Sequence, residues 1–148
     1  MNQPIDNQNL LPEAPDDLFV VGIGASVGGL KALEELFENI SSGVGIAFIV
    51  IQHLSPQFKS VMAELLQRKT ELPVYAIEDG MTIKANSIYV IPPGTNIIVK
   101  DAKLCFLEQD RSIINCAVDI FFESLALEYG HQAIAVLLSG TGSDGTKG

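Results

Sequence analysis

Six consecutive apolar residues, Ile46-Ala47-Phe48-Ile49-Val50-Ile51, stand between a glycine break at Gly43 and Gly45 and the polar pair Gln52-His53. A strand with no polar face must be covered on both sides, and strands covered in that way belong to parallel sheets flanked by helices. This run therefore asks for helical segments before and after it in the chain. Both are there. Leu30, Leu33, Leu36, Phe37 and Ile40 form a helical stripe, with Lys31, Glu34, Glu35 and Glu38 facing water. Beyond the strand, Ser55 and Pro56 read as an N-cap and first helical residue. They open a helix to about Lys69 whose inward side is Phe58, Val61, Met62, Leu65 and Leu66. A further helix, from about Val118 to Tyr129, stops at Gly130 as the residue after its C-cap.

The remaining strands follow from the same pattern. Phe19-Val20-Val21 precedes a turn on glycines, Val74 to Ile77 is a short third strand, and Ala133 to Leu138 is the last. Between them, Ser87 to Ile91, Ile97 to Lys100 and Leu104 to Leu107 are separated by turns at Pro92-Pro93-Gly94 and Asp101-Ala102. That spacing predicts an antiparallel meander. The expected fold class is α/β: a doubly wound, mainly parallel sheet with helices on both faces and an antiparallel β-meander on one flank. Residues 1–17, rich in Asn, Gln, Pro and Asp, read as a flexible leader, and residues 18–148 as one domain.

A net charge of -9 over 148 residues argues against nucleic acid or an anionic membrane surface as a partner. The longest apolar run is far short of the ~20 residues that cross a bilayer. With no signal-peptide pattern at Met1-Asn2-Gln3-Pro4, a cytoplasmic location without direct membrane insertion is expected. Cys105 and Cys116 have neither metal nor redox spacing and read as buried or partly buried thiols. No cofactor and no metal are expected.

Chemistry concentrates after the strands. Gly24-Ala25-Ser26-Val27-Gly28 has G-x-S-x-G spacing, which carries a serine on a sharp strand-to-helix turn. The first amides of the following helix are then available to a developing oxyanion. The competing reading is a dinucleotide fingerprint, Gly22-x-Gly24-x-x-x-Gly28, which wants an acidic residue about 20 positions on for the ribose. The second strand ends in Gln52-His53 instead, with no acid there. His53 leaves the carboxyl end of a strand, where open α/β sheets place their ligands. Asp144 lies in the glycine-rich segment Ser139 to Gly145, where a turn aspartate capping the next helix is the plain alternative. An alcohol, an imidazole and a carboxylate are the parts of a nucleophilic triad. Their order here, Ser, His, Asp, is not that of the α/β-hydrolases.

Gly24 to Gly29, Ile51-Gln52-His53 and Leu138 to Gly145 together resemble the three signature segments of the chemotaxis protein-glutamate methylesterase (CheB-type) catalytic domain. Val90 to Gly94 and Val118-Asp119 also sit where that family has comparable segments, so the resemblance spans about Phe19 to Gly148. It implies serine hydrolysis of glutamate γ-methyl esters on the cytoplasmic helices of methyl-accepting chemoreceptors, releasing methanol, with deamidation of receptor glutamines as a second activity. Ser26 is then the nucleophile, His53 the general base and acid, and Asp144 its orienting carboxylate. The backbone N–H groups of Val27 and Thr141 form the oxyanion hole. Val27 stands where the family often has Thr, Thr141 where it commonly has Met, and Asn96 where many relatives have His.

The family's familiar members carry a receiver domain upstream, and about 18 residues are too few for one. Regulation by receiver phosphorylation is accordingly not expected. The pattern is nearer to amino-terminal esterase domains fused to methyltransferase and kinase modules. The family continues past the Asp144 loop, so the domain is expected to be truncated at its C-terminus, leaving the activity of this length in doubt. The alternative is a catalytically impaired regulatory or interaction domain of a signalling fusion.

Overall fold

The computed structural model describes residues 17–26, 28–52, 61–108 and 117–138. In chain order these form β1 (Phe19–Ala25), α1 (Leu30–Glu38), β2 (Ile46–Gln52), α2 (Met62–Gln67), β3 (Val74–Ala76), β4 (Met81–Thr82), β5 (Ser87–Val90), β6 (Asn96–Lys100), β7 (Lys103–Leu107), α3 (Ala117–Tyr129), a 3₁₀ turn (Gly130–Gln132) and β8 (Ala133–Leu138). Five strands in the order β3-β5-β2-β1-β8 make a parallel sheet, and β4-β7-β6 make a small antiparallel one.

The alternation along each central strand splits the core in two. Ala47, Ile49 and Ile51 of β2 pack with Val118, Phe121, Phe122 and Leu125 of α3 on one face. Phe48 and Val50 pack with Leu33 and Phe37 of α1 and with Met62 and Leu66 of α2 on the other. The continuous apolar run of β2 is thus used on both sides, as its sequence requires. Each such large side chain contributes about 1.5–3 kcal/mol on burial.

Helix α3 packs between the main sheet and the hairpin of β6 and β7, burying Val118, Phe121, Phe122, Leu125 and Tyr129 and leaving Glu123 and Leu127 exposed. Ser124 fixes that contact, its Oγ accepting the Val99 N–H at 3.0 Å and donating to the Phe121 carbonyl at 2.8 Å. Glu128 Oε1 accepts the Ala102 N–H at 3.0 Å. The helix ends at Gly130, whose φ of +54° bears out its reading as the residue beyond the C-cap. At the same end the Tyr129 hydroxyl is buried with no hydrogen-bond partner among the described residues. Burial first, and the Glu128 carboxylate second, push its pKa up to about 12.

Two expectations are corrected. Ser87 to Val90 is not part of a meander: all four residues are buried, and β5 lies in the parallel sheet between β2 and β3. The antiparallel flank consists of β6 and β7 with the two-residue β4, which is too short for any periodicity to announce it. Tyr89 of β5 ties the two sheets together, its hydroxyl accepting the Lys84 N–H at 2.9 Å and donating to the Thr82 carbonyl at 3.1 Å. Val61 is 52% exposed rather than inward, because it precedes the first residue of α2, and Met62 and Leu66 take the core positions. The Ser55-Pro56 helix start, Phe58, Cys116 and residues 1–16 of the expected leader lie outside the described residues. Cys105 is partly buried and free. Among the described residues no helix is long and apolar enough to cross a membrane.

Candidate active site

β1 does not stop at Val21. It continues through Gly22 and Gly24 to Ala25, and its two faces are divided between the helices. Val21, Ile23 and Ala25 face the α1 side, and Val20, with the two glycines, faces α3. A Cβ on Gly22 would lie 3.0 Å from both Leu125 Cδ2 and Phe121 Cε1, and one on Gly24 only 2.7 Å from Val118 Cγ1. These glycines admit α3 against the strand; they do not make the turn. The dinucleotide reading loses its basis here, because its first glycine should form the tight turn and its second should meet a pyrophosphate.

The turn itself is Ser26 to Gly29. The Gly29 N–H donates to the Ser26 carbonyl at 2.8 Å, and α1 begins at the next residue. A Cβ on Gly29 would sit 2.8 Å from Ala25 Cβ and 3.0 Å from the Ser26 carbonyl oxygen. The glycine that the turn needs is therefore Gly29, for close approach, since its φ of -82° is open to any residue. Gly28, the last position of the G-x-S-x-G spacing, is exposed with open space around it.

Ser26 is half-buried at the carboxyl end of the strand that lies between β2 and β8. Strand order reverses at β1, the topological switch point at which open α/β sheets bind their ligands. The register makes this edge level: Ala25 pairs with Gln52 of β2 and with Leu138 of β8. The chain passes from β1 into Ser26, from β2 into His53, and from β8 into the segment that holds Thr141 and Asp144, all at one edge of the sheet. His53, Asp144, Val27 and Thr141 themselves lie outside the described residues. So does any distance between the members of the expected triad.

One residue at this edge had no role assigned from sequence. Gln52 is 5% exposed, and its Nε2 donates to the Ser26 carbonyl at 2.8 Å. The signal for it was a polar residue closing a strand otherwise apolar on both faces. Asn96, half-buried at the start of β6, pairs with Leu107 in the small sheet. Among the described residues no group of three or more His, Cys, Asp or Glu side chains is placed to hold a metal ion.

A doubly wound α/β domain, with a serine turn at the switch point of its sheet, is the class that this geometry defines. The chain belongs to the CheB methylesterase family, whose model matches residues 21–148. It is 33% identical over 153 residues to protein-glutamate methylesterase/protein-glutamine glutaminase 1 of Rhodospirillum rubrum, covering 99% of this chain and 39% of that protein. The crystal structure of the Thermotoga maritima CheB methylesterase catalytic domain superposes with a TM-score of 0.73 at 30% identity, over 87% of this chain and 71% of that one. An uncharacterized 104.1 kDa protein of Rhodobacter capsulatus is 44% identical over 87 residues, which are 59% of this chain and 9% of that protein. The chain spans 36–39% of the length of the curated methylesterases that it matches.

Proposed function

We propose that this domain is a serine hydrolase that demethylates glutamate γ-methyl esters on the cytoplasmic helices of chemoreceptors, with glutamine deamidation as a second activity. The observation that carries the reading is the level carboxyl edge of β2, β1 and β8. Three strands ending side by side, each followed by one of the expected groups, are what a serine, an imidazole and a carboxylate need in order to form one proton-transfer chain. In this reading Ser26 Oγ attacks the ester carbonyl while His53 takes its proton. His53 then returns the proton to the departing methoxide, which leaves as methanol, and Asp144 orients the imidazole. Water hydrolyses the acyl-enzyme by the same relay. The Val27 and Thr141 amides hold the oxyanion, a role that survives the departure from Thr and Met because it belongs to the backbone. Residues 18–148 form this catalytic domain and residues 1–17 its leader.

The similarity to a small part of a 104.1 kDa protein supports an origin in a larger signalling polypeptide, with methyltransferase and kinase modules as partners within the chain. A cytoplasmic site of action follows from a receptor-helix substrate. The test is methanol release from a methylated receptor fragment by the parent chain and by Ser26→Ala. The substitution should lower release by several orders of magnitude, since triad members act as a unit, and leave the urea midpoint unchanged. Undiminished release by the variant would end this reading. Receptor binding by a parent chain without turnover would favour a regulatory domain instead.

A further inference from the structure

Position 52 is the last of β2, and the alternation turns it to the face of Phe48 and Val50, which pack with α1 and α2. Packing alone would place a leucine or valine there. Gln52 is buried instead, and the two ends of its amide are treated differently. The Ser26 carbonyl can only accept, so the end 2.8 Å from it is the NH₂ group. The other end, Oε1, is buried with no hydrogen-bond partner among the described residues. Packing on this apolar face does not account for a glutamine at this place. The contact with the serine turn does.

Resting on the esterase reading above, we propose that Gln52 is a positioning residue for the nucleophile. The Ser26 carbonyl has two donors, the Gly29 N–H and Gln52 Nε2, both at 2.8 Å. The first is a bond within the turn and moves with it. The second ties the turn to the neighbouring strand, and so to the rigid sheet. A trans peptide is planar, with C=O and N–H in opposite directions. Pinning the carbonyl of Ser26 therefore sets the direction of the amide on the other side of that peptide, as well as the Cα from which the hydroxyl projects. Gln52 is also bonded to His53, so one side chain references the nucleophile's turn to the strand that delivers the imidazole.

A fluorophosphonate ester tests this without a receptor. It reacts by forming an Oγ–P bond as the P–F bond breaks, fluoride leaving and the hydroxyl proton passing to the base. The parent chain, Ser26→Ala, Gln52→Glu and Gln52→Met are compared for labelling amplitude and for rate at saturating probe. Glutamate keeps the shape but replaces the donor, and methionine suits the apolar face should the glutamate variant fail to fold. We expect no labelling of Ser26→Ala. The Gln52 variants should label to full amplitude about 10- to 100-fold more slowly, within the loss that a misplacement of about 1 Å can cause, with the half-saturating probe concentration unchanged. A reduced amplitude with an unchanged rate per labelled site, or loss of the fold in both variants, would make Gln52 merely structural and overturn the proposal. So would parental rates in Gln52→Met, leaving the esterase reading in place. A parent chain that does not label removes the esterase reading, and this proposal with it.

Discussion

Adding one methyl group at Gly24 should destabilise the domain by forcing α3 off the central strand. The added Cβ would stand 2.7 Å from Val118 Cγ1 and 3.1 Å from Leu137 Cδ2. Carbon atoms in good contact are about 3.5–4.0 Å apart, so Val118 is too close by roughly 1 Å. Leu137 is 48% exposed and its side-chain tip can swing away. Val118 cannot: it is 3% exposed, stiff at χ1, and held in the first turn of a helix whose other side packs on the small sheet. Relief has to come from the helix itself. Overpacking of this kind costs about 1–3 kcal/mol. Replacing glycine also removes freedom from the unfolded chain, a gain of about 0.4–1 kcal/mol where the backbone suits alanine. Because Val118 cannot yield, the crowding cost falls in the upper half of that range, and a net loss of roughly 1–2.5 kcal/mol remains, or a fall of about 1 M in the urea midpoint at ordinary m-values.

Urea unfolding followed by circular dichroism measures it, and a second substitution identifies the obstacle. Val118→Ala removes both Val118 methyls that the new Cβ would meet, so Gly24→Ala should be milder in its background by about 1 kcal/mol, a coupling large enough to resolve. A neutral or stabilised Gly24→Ala would show that α3 is not seated as closely as the 2.7 Å contact requires. Additive effects in the double variant would clear Val118. Gly22→Ala is the companion case, meeting Leu125, Phe121 and Phe122 at 3.0–3.1 Å. With its crowding shared among three side chains, no single truncation should rescue it.

The two buried tyrosines should respond oppositely to loss of the hydroxyl. Tyr89→Phe strands the Lys84 N–H and the Thr82 carbonyl and should cost about 1–3 kcal/mol in urea unfolding. Tyr129→Phe removes a hydroxyl with no partner among the described residues and should leave stability unchanged or raise it. Because the folded pKa of Tyr129 is raised from 10.0 to about 12, its contribution is complete below pH 10 and is lost as pH rises towards 12. Stability measured across that window should therefore fall less steeply in Tyr129→Phe than in the parent, and equal slopes would refute the assignment. Ala102, at φ +58° beside Asp101 at φ +53°, occupies the second position of the two-residue β6–β7 turn. Ala102→Gly should stabilise by about 0.5–1 kcal/mol net, since left-handed backbone costs a non-glycine residue about 1–2 kcal/mol and glycine returns part of that as chain entropy.

What could be read from the chain followed from whether local pattern and tertiary contact agree. α1 was legible from its helical stripe, and β2, α3 and β8 from apolar runs long enough to fix the type of element, though not which residues meet which layer. Ser87 to Val90 was misplaced for a physical reason. Four residues cannot show whether both faces are covered, and nearness in sequence to Asn96–Lys100 suggested a hairpin, whereas the stable pairing was with β2, some forty positions earlier. The glycines of β1 were misread because a glycine needed for close approach looks the same in sequence as one needed for a turn. Only the position of α3 tells them apart. The three motifs expected to form the site were legible as segments that follow strands, and the described residues place the ends of those strands side by side. The register that makes those ends level is a property of pairing between distant segments, and no single segment carries it.

Gln52 and Gly24 show how the two faces of the sheet divide the task of placing Ser26. On the α3 side the strand is located by steric fit, through glycines that leave no slack against Val118 and Phe121. On the α1 side the turn is located by a directed hydrogen bond from the adjacent strand. Fit sets where β1 lies, and a hydrogen bond, being directional, sets which way its last peptide points. The two should therefore separate experimentally. Crowding at Gly24 should appear as lost stability, with each folded molecule still reactive, whereas loss of the Gln52 donor should appear as slow reaction in a molecule that remains folded. A Gly24→Ala variant slowed at full labelling amplitude would mean that packing on the α3 face also orients the serine, and the division would fail.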